Sequence, residues 1–160
     1  MPYSVKTNVV SDRVEILIAP RTADNTPVAI PSLAVADAGG DATWIAVGTY
    51  TGGSMKFTGE PTSYEDQAGG VNLLGIATKL EVPALETDTA KLTALEAFYG
   101  KFVDIVCRVI GSAAYHRFNK MSVTMGADFP FNLKDPNKLP ITATGIAAKL
   151  SSVYSRGTLI

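Results

Sequence analysis

The chain is most constrained by residues 86–110, ETDTAKLTALEAFYGKFVDIVCRVI, where a helical period gives way at one glycine to a strand period. Thr87 and Asp88 are residue types that cap the free N–H groups of a first helical turn. Glu86 and Asp88 also suit the positive end of the helix dipole. Leu92, Leu95, Phe98 and Tyr99 then recur at helical spacing and form one apolar stripe. Gly100 stands where a left-handed C-terminal stop is wanted. Beyond it the period is two, with Val103, Ile105, Cys107 and Val109 pointing one way and Phe102, Asp104, Val106 and Arg108 the other. The pattern predicts a helix over about residues 87–99 and then a strand, its apolar face on a core and its mixed face turned to solvent or a partner.

Period-two alternation marks most of the remaining elements. Residues 13–19, RVEILIA, set Val14, Ile16 and Ile18 against Arg13 and Glu15 and predict a first strand. Residues 20–41 carry Pro20, Pro27, Pro31, Gly39 and Gly40 with no period, yet hold Val28, Ile30, Leu33 and Val35. An irregular stretch of that length is uncommon in a compact domain unless it is functional or bound to something. This arm either packs on its own domain or lies on a partner. Strands are expected over 43–49 and 54–58 with a turn at 50–53, then a polar loop over 59–70, GEPTSYEDQAGG. A long strand is expected over 71–82, ended by Pro83. Further strand candidates are 118–125, 140–150 and 152–160, with a Pro-rich loop or short edge segment over 128–139. Seven or eight strands, one helix and no βαβ alternation predict a mainly β single domain over residues 1–160. The expected architecture is an antiparallel β-sandwich or barrel with one flanking α-helix.

Composition narrows the function classes. Charged residues make up 18% of the chain against an average of about 25%, which suggests a surface partly covered by other subunits. A net charge of −1 offers no basic footprint for gripping nucleic acid. Cys107 is the single cysteine, so no intrachain disulfide forms, and its apolar strand face favours a buried thiol. No apolar run reaches membrane-span length, and residues 1–10 lack the apolar core of a signal peptide, so folding in the cytoplasm is expected. His116 is the single histidine, with no orienting group nearby to make a nucleophile–base pair with Cys107. The chain has too few Cys and His for a zinc site, and its Gly-Gly pairs lack nucleotide-loop spacing. No catalytic, metal or cofactor residue is assigned, and an enzyme is not expected.

The order of elements resembles the tail tube proteins of long-tailed bacteriophages and the related tubes of contractile injection systems. RVEILIA looks like the first strand before a long arm. TWIAVGTYTGGSMKFTGEPTSYEDQAGG looks like that family's hairpin and acidic loop, and VNLLGIATKLEV like the long strand leading to the helix. LETDTAKLTALEAFYGKFVDIVCRV looks like its helix-then-strand signature, with Leu92, Leu95 and Gly100 in place. The similarity spans roughly residues 13–150. It implies two packed antiparallel sheets with a flanking helix and hexameric rings whose strands join into an inner barrel. It further implies rings stacked into a tube in the virion tail, with other tail proteins as partners and DNA passing through the lumen without specific binding. Under this resemblance the subunit contacts lie on the arm 20–41 and the loop 59–70, at Val28, Ile30, Leu33, Val35, Glu60, Tyr64, Glu65 and Asp66. A neutral or acidic lumen is expected, and Lys56, Lys79, Arg108 and Lys120 depart from it. The competing expectations are another tail or head component (a terminator, an adaptor or a capsid decoration protein) and a carbohydrate-binding β-sandwich.

Overall fold

The computed structural model describes residues 13–23, 25–51, 55–86, 88–125 and 138–160. Among the described residues there are eight strands: β1 (Arg13–Pro20), β2 (Ile45–Thr51), β3 (Lys56–Glu65), β4 (Val71–Glu86), β5 (Val103–Val109), β6 (Ala114–Met125), β7 (Lys138–Ala147) and β8 (Tyr154–Thr158). Three short helices, α1 (Leu33–Asp37), α2 (Thr89–Ala97) and α3 (Leu150–Val153), complete the described elements. All strand pairings are antiparallel, in the order β2-β1-β5-β6-β7-β4-β3 with β8 on β6 and one β2–β4 pair at Thr49 and Glu86. The protein is mainly β, one eight-stranded antiparallel sheet folded over as a sandwich or barrel with a flanking helix, as the sequence predicts.

The sheet has two halves because β6 changes partners along its length. Its first part, Ala114 to Phe118, lies between β5 and β8, whereas Ser122 to Met125 pairs with β7. The pairing jumps from Phe118–Ile105 to Met121–Val103, so Asn119 and Lys120 together oppose Asp104. That is a β-bulge, which bends the strand that carries it. Lys120 has φ 52°, a left-handed conformation costly for a residue with a Cβ. The one eight-stranded sheet thus bends into two halves, the first sheet, β2-β1-β5-β6-β8, and the second sheet, β6-β7-β4-β3, which β2 and β4 also join at Thr49 and Glu86. Gly145 of β7 sits tight against the bend, where an added Cβ would meet Met121 Sδ at 2.8 Å and the Lys120 carbonyl at 3.2 Å.

The main core lies between the sheets and includes Ile16, Ile18, Val47, Leu80, Val82, Leu85, Ile105, Cys107, Phe118, Met121 and Val123. The flanking helix plugs its margin. Asp88 is the N-cap and its carboxylate accepts from the Lys91 N–H at 2.8 Å. Leu95 and Phe98 are buried, Leu92 is half-buried, and Gly100 takes φ 73° as the C-terminal stop. Tyr99, expected on the buried stripe, is 43% exposed, because it follows Phe98 directly and leaves the helix past its last turn.

Several sequence expectations need correction. β3 runs to Glu65, so residues 59–65 of the expected loop are strand and the turn is confined to 66–70. Pairing with β4 overrides the poor strand propensity of Gly59, Glu60 and Pro61, and proline is tolerated because β3 is an edge strand. Pro83 does not end β4, which continues to Glu86 through an irregularity between Val82 and Leu85 where a missing N–H is accommodated. Tyr50 and Thr51 belong to β2, and 52–54 lie outside the described residues. β6 begins at Ala114, before the expected 118, because its first half pairs β5 and β8. The expected strand at 152–160 begins as α3 and becomes β8 at Tyr154. Most of the Pro-rich segment 128–139 lies outside the described residues.

Truncating the helix's buried contact tests this packing. Leu95→Ala should cost about 2–5 kcal/mol of unfolding free energy through lost burial and a residual cavity, whereas Tyr99→Ala should stay within about 1 kcal/mol. Urea denaturation of both variants measures the difference.

Candidate assembly surface

The two sheets present very different outer faces. That of the first sheet carries Leu17, Ala19, Val106, Asp104, Arg108 and Arg117, and the arm covers it. Val28, Leu33 and Val35 are half-buried against a second apolar cluster of Leu17, Ala19, Ala36, Trp44, Val106 and Leu159. The mixed face of β5, expected at solvent or a partner, is thus covered by the chain itself. The arm turns back at Gly40, φ 100°, where an added Cβ would lie 2.1 Å from the Trp44 carbonyl oxygen. Asp41 Oδ1 then accepts from the Thr43 and Trp44 N–H groups at 2.8 and 2.7 Å. The Leu33 N–H donates to the Ile160 carbonyl at 2.9 Å, which ties α1 to the last residues of the sequence.

Ion pairs fasten the arm down. Asp104 is fully buried and its carboxylate accepts from Arg21 Nε at 2.8 Å, the Val28 N–H at 2.7 Å, Arg117 at 2.9 Å and the Lys120 N–H at 2.9 Å. Arg117 also donates to the Val28 carbonyl and to Asn119 Oδ1, and its guanidinium lies over the Trp44 ring. Trp44 Nε1 donates to the Ala29 carbonyl at 2.9 Å. A second pair of contacts runs from Arg108 to Glu15 at 3.1 Å and to Asp37 of α1 at 2.8 Å. Asp104, Arg21 and Arg117 were not singled out by sequence pattern as a cluster. The available signal was an acid and an arginine flanking Val106 on a strand with an apolar reverse face.

The outer face of the second sheet is open. By register it presents Lys56, Thr58, Glu60 and Thr62 of β3, Ala77, Lys79 and Glu81 of β4, Thr142, Thr144 and Ile146 of β7, and Ser122 and Thr124 of β6. Across the strands these residues form rows: Lys56–Glu81–Thr142–Thr124, Thr58–Lys79–Thr144–Ser122, and Glu60–Ala77–Ile146. Lys79 Nζ lies 2.7 Å from Glu81 Oε1, and the Glu81 carboxyl is held below its usual range first by that hydrogen bond, then by the charges of Lys79 and Lys56. An open groove of about 760 Å³ runs along this face, bounded at one end by Phe102 and by Lys120, whose ammonium sits 5.0 Å from the Phe102 ring centroid. Ile146 in its floor is 76% exposed.

Both lateral edges of this second sheet are available among the described residues. Among the described residues β3 has a ladder partner only in β4, and Ser122 to Met125 only in β7. Pro61 shows which β3 groups face outwards. It has no N–H to give β4, and Thr62 bonds Gly75 on the β4 side through its hydroxyl at 3.1 Å. The alternation therefore points the backbone groups of Phe57 and Gly59 away from β4.

The arm and hairpin residues proposed from sequence occupy distinct settings. Val28, Leu33 and Val35 pack on the chain's own second cluster, and Ile30 remains 39% exposed. Glu60 is exposed on the open face of β3. Tyr64 lies in β3 opposite Asn72, and Glu65 is exposed at the strand's end. Asp66 holds the hairpin turn, accepting from the Ala68 and Gly70 N–H groups at 3.0 and 2.7 Å. His116 and Cys107 are register partners across β5 and β6, an arrangement the sequence separation did not reveal. His116 Nδ1 pairs with the Tyr154 hydroxyl at 2.7 Å, and burial pushes the Cys107 thiol up to about 12, the reverse of what a nucleophile needs. No protein-family model matches the chain, and no curated protein matches it.

Two outcomes follow. Asp104→Ala leaves Arg21 and Arg117 buried without their carboxylate and should cost about 3–5 kcal/mol, read by urea denaturation, with new protease cleavage in the arm; removal of residues 23–38 should destabilise the domain similarly. Cys107 should resist a thiol reagent at pH 8 until the protein is denatured. Because its folded pKa lies above the ordinary 9.0, the unfolded chain releases this proton first and stability should fall as pH rises past 9.

Proposed function

We propose that this chain is a virion structural protein, a tail tube subunit that assembles head to tail into stacked hexameric rings forming a conduit for DNA. The observation that carries this reading is the pair of available edges on one sheet. β3, β4, β7 and the end of β6 alternate in direction, so β3 and Ser122 to Met125 run oppositely. A neighbour's β6 end laid along β3 therefore continues the antiparallel pattern without interruption. Such a contact is heterologous, joining two different patches, and closes into a ring when its rotation allows. Edges that invite aggregation in a monomer become the joints of an assembly.

Two further features support it. The sandwich with a flanking helix is the architecture that the resemblance implies. The face which ring closure would turn inwards is lined chiefly by Thr and Ser, and its Lys56 and Lys79 are balanced by Glu60 and Glu81. Arg108, which departs from a neutral lumen in the sequence, is buried under the arm instead. A carbohydrate-binding module would use several exposed aromatics, and Phe102 is the one ring lining the groove among the described residues.

Negative-stain microscopy and light scattering of the purified chain should show rings or tubes. Gly59→Pro withdraws an outward N–H from the β3 edge; its added Cβ would lie 3.2 Å from Ile76 Cγ2 of β4, so circular dichroism checks that the ladder survives, and the folded variant should show ring formation reduced at least about tenfold, the effect of losing roughly 1.4 kcal/mol per joint. A stable wild-type monomer that binds a glycan would overturn the proposal.

A further inference from the structure

The exposed edge of β3 is not uniform along its length. Alternation turns the backbone groups of Phe57, Gly59, Pro61 and Ser63 away from β4, and β3 has no other ladder partner among the described residues. Pro61 has no N–H, so the outward row of donors breaks there after Phe57 and Gly59, and the proline ring fills the place of the missing hydrogen. A second interruption follows at once. Thr62 faces Gly75 and Ser63 faces Leu73, so Leu74 is an extra residue and the register shifts between Thr62 and Ser63. A bulge of this kind bends the ribbon and raises its twist, which turns the far half of the edge out of line with the near half. Pro61 is exposed, so core packing gives no reason for a proline at this position. Proline and bulge together divide a ten-residue strand into a usable half, Lys56 to Glu60, and a closed half beyond it.

We propose that Pro61 is an edge stop, which confines strand addition by a second copy of this chain to Lys56–Glu60 and keeps two β3 edges from pairing along their length. The admitted strand is the β6 end of a neighbouring subunit, an identification that rests on the tube reading. The lengths agree. Ser122 to Met125 is a four-residue edge in which alternate residues offer backbone groups away from β7, enough to engage Phe57 and Gly59 without reaching Pro61. Two β3 strands do not fit one another in this way. Laid antiparallel over their length with outward groups in phase, they set Pro61 opposite Pro61 or opposite Gly59, and each copy then lacks a donor near the middle of the ladder. Such a contact would be isologous. It would occupy the β3 edges of both copies and leave a dimer whose two β6 ends have no β3 edge to join. Pro61 thus favours the short head-to-tail joint, which can close into a ring, over the long self-pairing that cannot.

The test compares the full chain with Pro61→Thr and Pro61→Ala by light scattering, negative-stain microscopy and hydrogen–deuterium exchange. Both substitutions restore an outward N–H at an exposed position, and circular dichroism of each should match wild type. Both variants should form a dimer, with rings reduced at least about tenfold, the scale set by one regained hydrogen bond per copy. Amides of residues 61–65 should be protected in that dimer and should exchange freely in the wild-type ring. Variants that form the same rings as wild type overturn the edge stop and leave the tube reading intact. A dimer in which residues 61–65 exchange freely, or one confined to the Thr variant with its higher strand propensity, also overturns the stop. Protected dimers of both variants, from a wild type that stays monomeric, support the stop and overturn the tube reading. Wild type and variants that all stay monomeric overturn both.

Discussion

The fold depends on one buried carboxylate. Asp104 stands opposite the two-residue bulge of β6 and accepts the Lys120 N–H, while its other hydrogen bonds reach Arg117 and the two arm groups, Arg21 Nε and the Val28 N–H. Removing a charge from water costs several kcal/mol, and only full compensation makes the site tolerable. Two guanidiniums and two backbone N–H groups provide it here. Arg117 comes from a strand paired on both sides, but the other three donors come from segments with no reason of their own to stay in place: a bulge with a left-handed lysine, and an arm without regular period. The carboxylate therefore couples two separate features, the bend that sends β6 from one sheet into the other and the covering of the first sheet's outer face.

That coupling makes the two outer faces unequal. On the first sheet, Leu17, Ala19 and Val106 would be an exposed apolar patch if bare, and the arm, α1 and Leu159 close over them. On the second sheet nothing in the described chain does so, and the face is built from small hydroxyl side chains and balanced charges that water tolerates. The hairpin of β3 and β4 also runs past β7, whose pairing with β4 begins at Ile76. Strand edges and open face thus belong to the same sheet. The closed first sheet is left to give the domain its stability.

How much of this was legible follows from what carries a period. The helix and strand of residues 86–110, together with β1 and most of β4, were readable because burial on one side imposes 3.6 or 2 on the apolar residues. β3 was obscured by Gly59, Glu60 and Pro61, which suit a loop locally and become strand only through ten residues of pairing with β4. The arm's apolar residues were visible, but their destination was not. An irregular segment carries no phase from which a packing face can be read, and the bonds that fix it join Asp104 to residues 76 and 83 positions away. The Asp104 cluster was hidden for the same reason, since a charged residue on a strand's second face reads as solvated until its partners are placed. The lateral edges of the second sheet were also beyond the sequence, because strand order is a property of long-range pairing.

The cations that look alike in the sequence separate into three physical classes once folded. Arg108 is sunk beneath the arm, shared between Glu15 and Asp37, and contributes to stability rather than to surface potential. Lys120 owes its position to the bulge, with its N–H on Asp104 and its ammonium over Phe102. Lys79, in β4, and Lys56, at the start of the edge strand β3, face outwards on the open sheet; Lys79 pairs with Glu81, and Lys56 is the register partner of Glu81. A net charge of −1 says nothing about how that balance is distributed. For Lys79 the compensation is local, a carboxylate within one hydrogen-bond length on the same sheet face. Local pairing cancels the field close to the surface, where a passing phosphate would feel it, whereas charges balanced only across the whole molecule would leave patches wider than the ~8 Å over which salt screens them. On the open face that local match is Lys79 with Glu81, two residues apart on one side of β4, so the strand's own alternation sets it.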